Sequence, residues 1–322
     1  MPGQRILTMP LSSFALLVLM VAAIPLVRRL APRGFVDLTP AAFLRAPFSA
    51  LAFRFRSKLA LRRGMPILRN EPKANLFEYL RGPERKAAEK RSRELEQRYD
   101  LGALEKASSR LVYAENLYFL DLLDTLASER LVESVGRRAL RALDVGSQDF
   151  RYATAIERWL SRGGLPAEGR RTVTLTGIEL DGYVIYNDLH SRADHAAYHA
   201  ALTKNPRVTY RVQDFLKTED REIDVLTIFF PFVLRYALVQ WGLPLGAFQP
   251  EAFFQNAARV LRPGGIMVIL NHTHEERDRQ IALLDTIAGV ERLTTIDAIS
   301  PLAPYSADVP ERSMTIARRL AK

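Results

Sequence analysis

Polar and titratable residues collect at the ends of five short β-rich runs in the second half of the chain. The runs end in Leu143-Asp-Val-Gly-Ser-Gln-Asp-Phe150, Gly177-Ile-Glu-Leu-Asp181, Val212-Gln-Asp-Phe215, Phe229-Phe-Pro-Phe232 and Asn271-His-Thr-His274. His272 or His274 can act as a general base, because histidine titrates near neutrality; the plainer role for either is to bond a carbonyl. His195 and His199 have the i, i+4 spacing of helical metal ligands. His195-Ala-Ala-Tyr-His199 lacks the glutamate of a zincin, so a helix surface is the better reading and no metal is expected. The chain has no cysteine, which excludes disulfides, thiolate metal sites and a cysteine nucleophile.

The elements that must position these residues follow Gly136. Strands are expected at Leu140–Val145, Val173–Glu179, Val208–Gln213, Asp224–Phe229, Ile266–Leu270, Arg292–Ile296 and Ser313–Ala317. Helices are expected at Ala153–Ser161, Tyr183–Leu202, Glu251–Leu261 and Glu275–Ala288. Such alternation implies a parallel sheet covered on both faces, an α/β doubly wound fold. Between the last two strands lies Ser300-Pro-Leu-Ala-Pro-Tyr-Ser-Ala-Asp-Val-Pro310, whose prolines forbid a crossover helix, so the seventh strand should run antiparallel. In an open sheet of this kind, ligands sit beyond the carboxyl ends of the strands, at the point where the strand order reverses.

Residues 138–322 resemble the class I S-adenosylmethionine-dependent methyltransferases. Asp144-Val-Gly146 is similar to that family's acidic-x-Gly opening, followed here by Ser147 and Gln148; Glu179 matches the acidic residue that binds the ribose hydroxyls; Asp214 with Phe215 resembles the pair beside the adenine; Leu261-Arg-Pro-Gly-Gly265 is the turn that precedes the fifth strand. The resemblance implies S-adenosyl-L-methionine as cofactor and in-line attack on its methyl group, with Asp144, Gly146, Ser147, Gln148, Glu179, Asp214, Phe215 and Phe230 at the cofactor and Asn271 and His272 as catalytic candidates. The sequence departs from the family where Gln148 and Phe150 replace glycines, which should narrow the methionine pocket or displace the backbone. Phe230-Pro-Phe232 resembles the Pro-aromatic element of amino-group methyltransferases but lacks its polar residue.

The net charge of +10 over 322 residues is local. Residues 1–73 hold 12 of the 46 basic and 2 of the 36 acidic residues, leaving 34 of each sign for the rest. A nucleic-acid partner would need a basic stripe on the folded body, so the distribution argues against one. Ile6–Val27 is uncharged and is followed by Arg28, Arg29 and Arg33, the pattern of a signal anchor with a positive-inside flank. A cleaved signal peptide fits less well, because the charge comes after the apolar run; Pro10 and Pro25 leave room for a helix docked on the domain. Residues 43–63 suit either an anionic membrane surface or a solvated linker.

The expected organisation is an anchor at 1–30, a basic linker at 31–73, a helical extension at 74–137 and the methyltransferase-like domain at 138–322. The leading expectation is a methyltransferase on a single-pass membrane anchor, its domain in the cytoplasm. The acceptor is an unidentified small molecule or lipid, and the apolar stretch Val233–Gln249 is a candidate lid. The alternative is a non-catalytic binding or scaffold protein on the same fold.

Overall fold

A computed structural model describes residues 40–67, 70–136, 139–303 and 311–321. The described residues fall into two units, one of 40–52 with Leu234–Phe248 and a larger one of Phe53–Val233 with Gln249 onward.

The larger unit is built on a seven-stranded sheet: β1 Ala139–Val145, β2 Thr172–Glu179, β3 Val208–Val212, β4 Ile223–Phe229, β5 Leu261–Asn271, β6 Val290–Asp297 and β7 Ser313–Arg319. The strand order is β3-β2-β1-β4-β5-β7-β6. Pairs along β3-β2-β1-β4-β5 are parallel, and β7 runs antiparallel between β5 and β6. All seven expected strands form, and the reversed seventh is where the proline-rich connection put it. The order reverses between β1 and β4, so the crevice expected to hold a ligand opens beside Val145 and Phe229. Every residue of β4 is buried, as befits a strand covered on both faces.

Nine helices are described: α1 Pro40–Leu59, α2 Gly82–Tyr99, α3 Gly102–Ala107, α4 Arg110–Val135, α5 Ala153–Arg162, α6 Arg192–Leu202, α7 Arg235–Gln240, α8 Pro250–Val260 and α9 His274–Leu284. The charged α2 buries Ala88, Ser92, Leu95 and Tyr99, one stripe at four- and three-residue spacing. It is tied to α4 by Arg91, whose guanidinium reaches Asp121 at 2.5 Å and Asp124 at 2.8 Å. In α4, Ser109 caps the first turn by accepting from the Val112 N–H, and Gly136 ends the helix at φ +43°.

Arg262, expected in a turn before the fifth strand, lies within β5 and has a structural role. Its Nε donates to the buried Asp224 at 2.5 Å while Nη2 donates to the Ser134 carbonyl at the end of α4. Pairing of β4 with β5 therefore starts back at Ile223 and Leu261, across a register shift, and β5 is longer than its apolar core suggests.

The end of α1 and the basic segment that follows it are held on protein carboxylates. Arg56 forms a two-pronged pair with Asp181, its Nε at 2.7 Å from Oδ1. Arg62 Nε donates to Asp194 at 2.7 Å, and the backbone N–H groups of Arg63 and Gly64 donate to the same carboxylate.

The single-pass membrane localisation does not hold. Among the described residues no helix is long and apolar enough to cross a membrane. The two longest show why: α4 carries Glu115, Asp121, Asp124, Glu129, Arg130 and Glu133, and α1 carries Arg45, Arg54, Arg56 and Lys58. The apolar run Ile6–Val27 lies outside the described residues.

Candidate functional site

The turn from β1 into α5 is built around three residues in the left-handed region, Gly146 at φ +79°, Gln148 at +51° and Phe150 at +56°. Only the first is glycine, so the turn keeps its left-handed positions with side chains that strain them, each by about 1 kcal/mol. Three contacts hold it in place. The Gly146 N–H donates to the Ile178 carbonyl at 2.9 Å, Ser147 Oγ to the Asp144 carbonyl at 2.7 Å, and the Tyr210 hydroxyl to the Gln148 carbonyl at 2.7 Å.

Phe150 is fully buried, and Gly177 on β2 makes room for it. A Cβ at Gly177 would lie 3.2 Å from the Phe150 ring and 2.9 Å from Ser147 Oγ. At Gly146, by contrast, a Cβ would meet nothing within 4 Å. The large side chain that replaces a glycine is thus packed against the sheet, while the backbone at Gly146 faces open space.

Glu179 ends β2 directly beside this turn. Its Oε2 accepts the Gln148 N–H at 3.0 Å and its Oε1 accepts the Asp181 N–H at 2.9 Å. The Arg192 guanidinium lies 3.8 Å from Oε1. Two backbone donors fix the carboxylate and leave acceptor capacity on both oxygens.

Asp144 is fully buried at the end of β1. Thr227 Oγ1 donates to its Oδ1 at 2.6 Å, and Oδ2 has no partner. Burial pushes its pKa up to about 7, against the pull of the Thr227 and Ser147 hydroxyls. Thr227 is the one polar residue within the run Val225-Leu-Thr-Ile-Phe229, a signal that could have marked it.

At the end of β3, Asp214 caps a single 3₁₀ turn by accepting the Leu216 N–H at 3.0 Å. Phe215 is buried, its ring 5.2 Å from that of Phe253.

Phe230 and His272 meet beyond β4 and β5. Their rings stack with centroids 3.6 Å apart and planes 7° from parallel. Phe230 is itself left-handed at φ +59°, a strained position for an aromatic residue. Desolvation, then the Arg312 charge, lower the His272 pKa below the ordinary histidine range. The ring is therefore neutral at pH 7. Asn271 is fully buried with both side-chain polar atoms unpartnered. His274 instead opens α9, with Asp297 4.0 Å from its ring nitrogen, away from the Phe230 stack.

The α6 histidines are buried, which corrects the helix-surface reading. His199 Nδ1 lies 2.7 Å from the Asp149 carbonyl, and the ring is tied to the β1–α5 turn. Burial opposes ionisation of Asp149, but Arg151 and then His199 outweigh it and hold its pKa low. Asn116 of α4, which no local motif marks, pins the same turn: its Nδ2 donates to the Arg151 carbonyl and its Oδ1 accepts the Ala155 N–H.

No family model and no curated protein matches the chain. Among solved structures it is similar to the cyclase SpnF at 16% identity and TM-score 0.41, over 61% of this chain and 81% of that one. It is also similar to a TehB-like S-adenosylmethionine-dependent methyltransferase from Corynebacterium glutamicum, at 16% identity and TM-score 0.36, over 72% and 99% of the two chains. A third is an S-adenosylmethionine-dependent methyltransferase from Aquifex aeolicus, at 14% identity and TM-score 0.40, over 64% and 97%.

Proposed function

We propose that the larger unit is an S-adenosylmethionine-dependent methyltransferase acting on a small-molecule acceptor. The observation that carries this is the pairing of an open backbone position at Gly146 with the Glu179 carboxylate, anchored one turn away by the Gln148 N–H. The strand order supports the same reading, because Gly146 follows β1 at the topological switch point and Glu179 ends the neighbouring β2.

The residues present suit this cofactor. Gly146 leaves room for close approach, Glu179 has lone pairs free for a vicinal pair of hydroxyls, and Asp214 and Phe215 supply an acceptor and a ring for adenine. Ser147 and Gln148 form the turn, and Phe230, stacked on His272 beyond β4, would flank the bound cofactor. When bound, the cofactor supplies an electrophilic methyl group. The protein then has to exclude water, align the acceptor and take its proton. His272 is neutral at pH 7 and able to take that proton, and the unpartnered Asn271 amide is available to orient the acceptor.

Two observations favour a binding module on the same fold. Both Glu179 oxygens already hold backbone donors, and His272 is a weak base. Calorimetry of the full chain with S-adenosylmethionine, followed by methyl-transfer assays, separates the two. The enzyme reading expects binding weakened by about 10- to 100-fold in Glu179→Gln, the loss of charged hydrogen bonds. Absence of binding by the wild-type chain defeats it.

A further inference from the structure

Arg312 immediately precedes β7, and its neighbour Ser313 pairs across the sheet with Asn271. The guanidinium therefore reaches the same end of the sheet as His272. It lies 5.1 Å from the Phe230 ring centroid and 5.2 Å from that of Tyr118, so it sits between two aromatic faces. Its Nη1 donates to the Tyr118 hydroxyl at 2.7 Å. Its Nε is buried with no partner.

Three part-buried arginines of this unit are neutralised by carboxylates, Arg91 by Asp121 and Asp124, Arg151 by Asp149 and Glu115, and Arg262 by Asp224; Arg171, Arg259 and Arg319 instead donate to carbonyl or amide oxygens of the protein. Arg312 makes no ion pair among the described residues. The carboxylates nearby are engaged. Glu115 lies 3.2 Å from Arg151, and Asp121 takes Arg91 on one oxygen and the Ser300 hydroxyl on the other. A partly desolvated guanidinium with an unused Nε–Nη2 edge is one partner short, and a planar carboxylate matches that edge with two parallel hydrogen bonds. The flanking rings favour a flat group, and a positive charge beside His272 draws an anion toward the ring that would take the acceptor's proton.

We infer that Arg312, with Tyr118, binds a carboxylate, and that the methyl acceptor is a carboxylate-bearing molecule; the second clause rests on the methyltransferase reading, the first does not. Arg312 is a specificity-determining residue that anchors the acceptor.

The test follows the His272 ring signals by NMR in the full chain, with benzoate as the probe and benzamide and inorganic phosphate as controls. Benzoate is expected to shift them saturably and benzamide to leave them in place. Arg312→Gln should weaken benzoate at least about tenfold, and Arg312→Lys should restore part of the loss. Circular dichroism of both variants verifies the fold, and the lysine variant keeps the test open if the glutamine variant fails to fold. Equal binding of benzoate and benzamide, saturation by phosphate alone, or unchanged benzoate affinity in Arg312→Gln overturns the inference. S-adenosylmethionine binding is measured separately and should change less than about twofold in Arg312→Gln. Carboxylate binding without cofactor binding would leave the site standing and defeat the methyltransferase reading; the reverse would defeat the site alone.

Discussion

The imidazole of His272 lies face to face with the ring of Phe230, centroids 3.6 Å apart, where β4 and β5 end. Desolvation and the neighbouring Arg312 charge both disfavour the imidazolium. The His272 signal should therefore titrate below the ordinary histidine value of 6.5, and Phe230→Ala should raise its midpoint. The folded state binds fewer protons than the unfolded chain between the lowered value and 6.5, so stability rises with pH across that window. His272→Gln removes this slope, measurable by denaturant unfolding at several pH values. A midpoint at or above the ordinary histidine value would contradict the environment described.

Asp144 has the opposite sign. Its folded pKa, about 7, lies above the ordinary aspartate value of 3.8 because the carboxyl is buried. Its favourable contribution is full below the unfolded value and is lost as pH rises through about 7. Asp144→Asn should thus stabilise the fold above that pH and have little effect, or a small cost, in mild acid. Melting temperatures of both proteins across the window test this; parallel curves would show that Asp144 does not titrate there.

Asp194 ties the basic segment after α1 to α6. Burial raises its pKa, but the Arg63 N–H, the Arg62 guanidinium and the Ser191 donors outweigh it and hold the pKa well below the usual carboxylate range. Its stabilisation is present above the unfolded value and is lost as pH falls toward the depressed one. Asp194→Ala leaves these donors unpaired and should cost about 3 kcal/mol. Limited proteolysis near Arg62 should accelerate in acid and in the variant.

The fit of Phe150 against Gly177 predicts a non-additive pair. Gly177→Ala brings a Cβ to 3.2 Å from the ring and 2.9 Å from Ser147 Oγ, an overpacking worth about 1–3 kcal/mol. Adding Phe150→Leu should return part of it, so the double variant is more stable than the sum of the singles predicts. Chemical denaturation of the four proteins measures the coupling; simple additivity would mean that the glycine does not accommodate the ring.

These contacts show which parts of the molecule the sequence discloses. Strand positions are legible because β1, β2 and β4 are short runs rich in apolar and β-branched residues, and the direction of β7 because three prolines bar a crossover. The first part of the expected helix at Tyr183–Leu202 is a loop instead, closed by the bridge between Ile185 and Ser191. Helix α6 begins only at Arg192, where Ser191 and Asp194 form a capping box, a pattern visible in Ser191-Arg-Ala-Asp194. The candidate cofactor residues lie at strand ends and could be listed from local pattern. The roles of Asn116, Tyr118, Tyr210 and Arg312 could not, since each depends on a partner more than thirty residues away, brought close only by the sheet. Phe150 was legible as a departure, but its consequence was not: the ring turns into the sheet because Gly177 stands opposite.

The central claim is that the turn around Gly146 and the Glu179 carboxylate together receive S-adenosylmethionine. Its most direct test is calorimetric titration of the full chain and of Glu179→Gln with that cofactor. The account predicts one saturable site in the wild-type chain and an affinity about 10- to 100-fold weaker in the variant. No heat from the wild-type chain, or equal affinity in the two proteins, would contradict it.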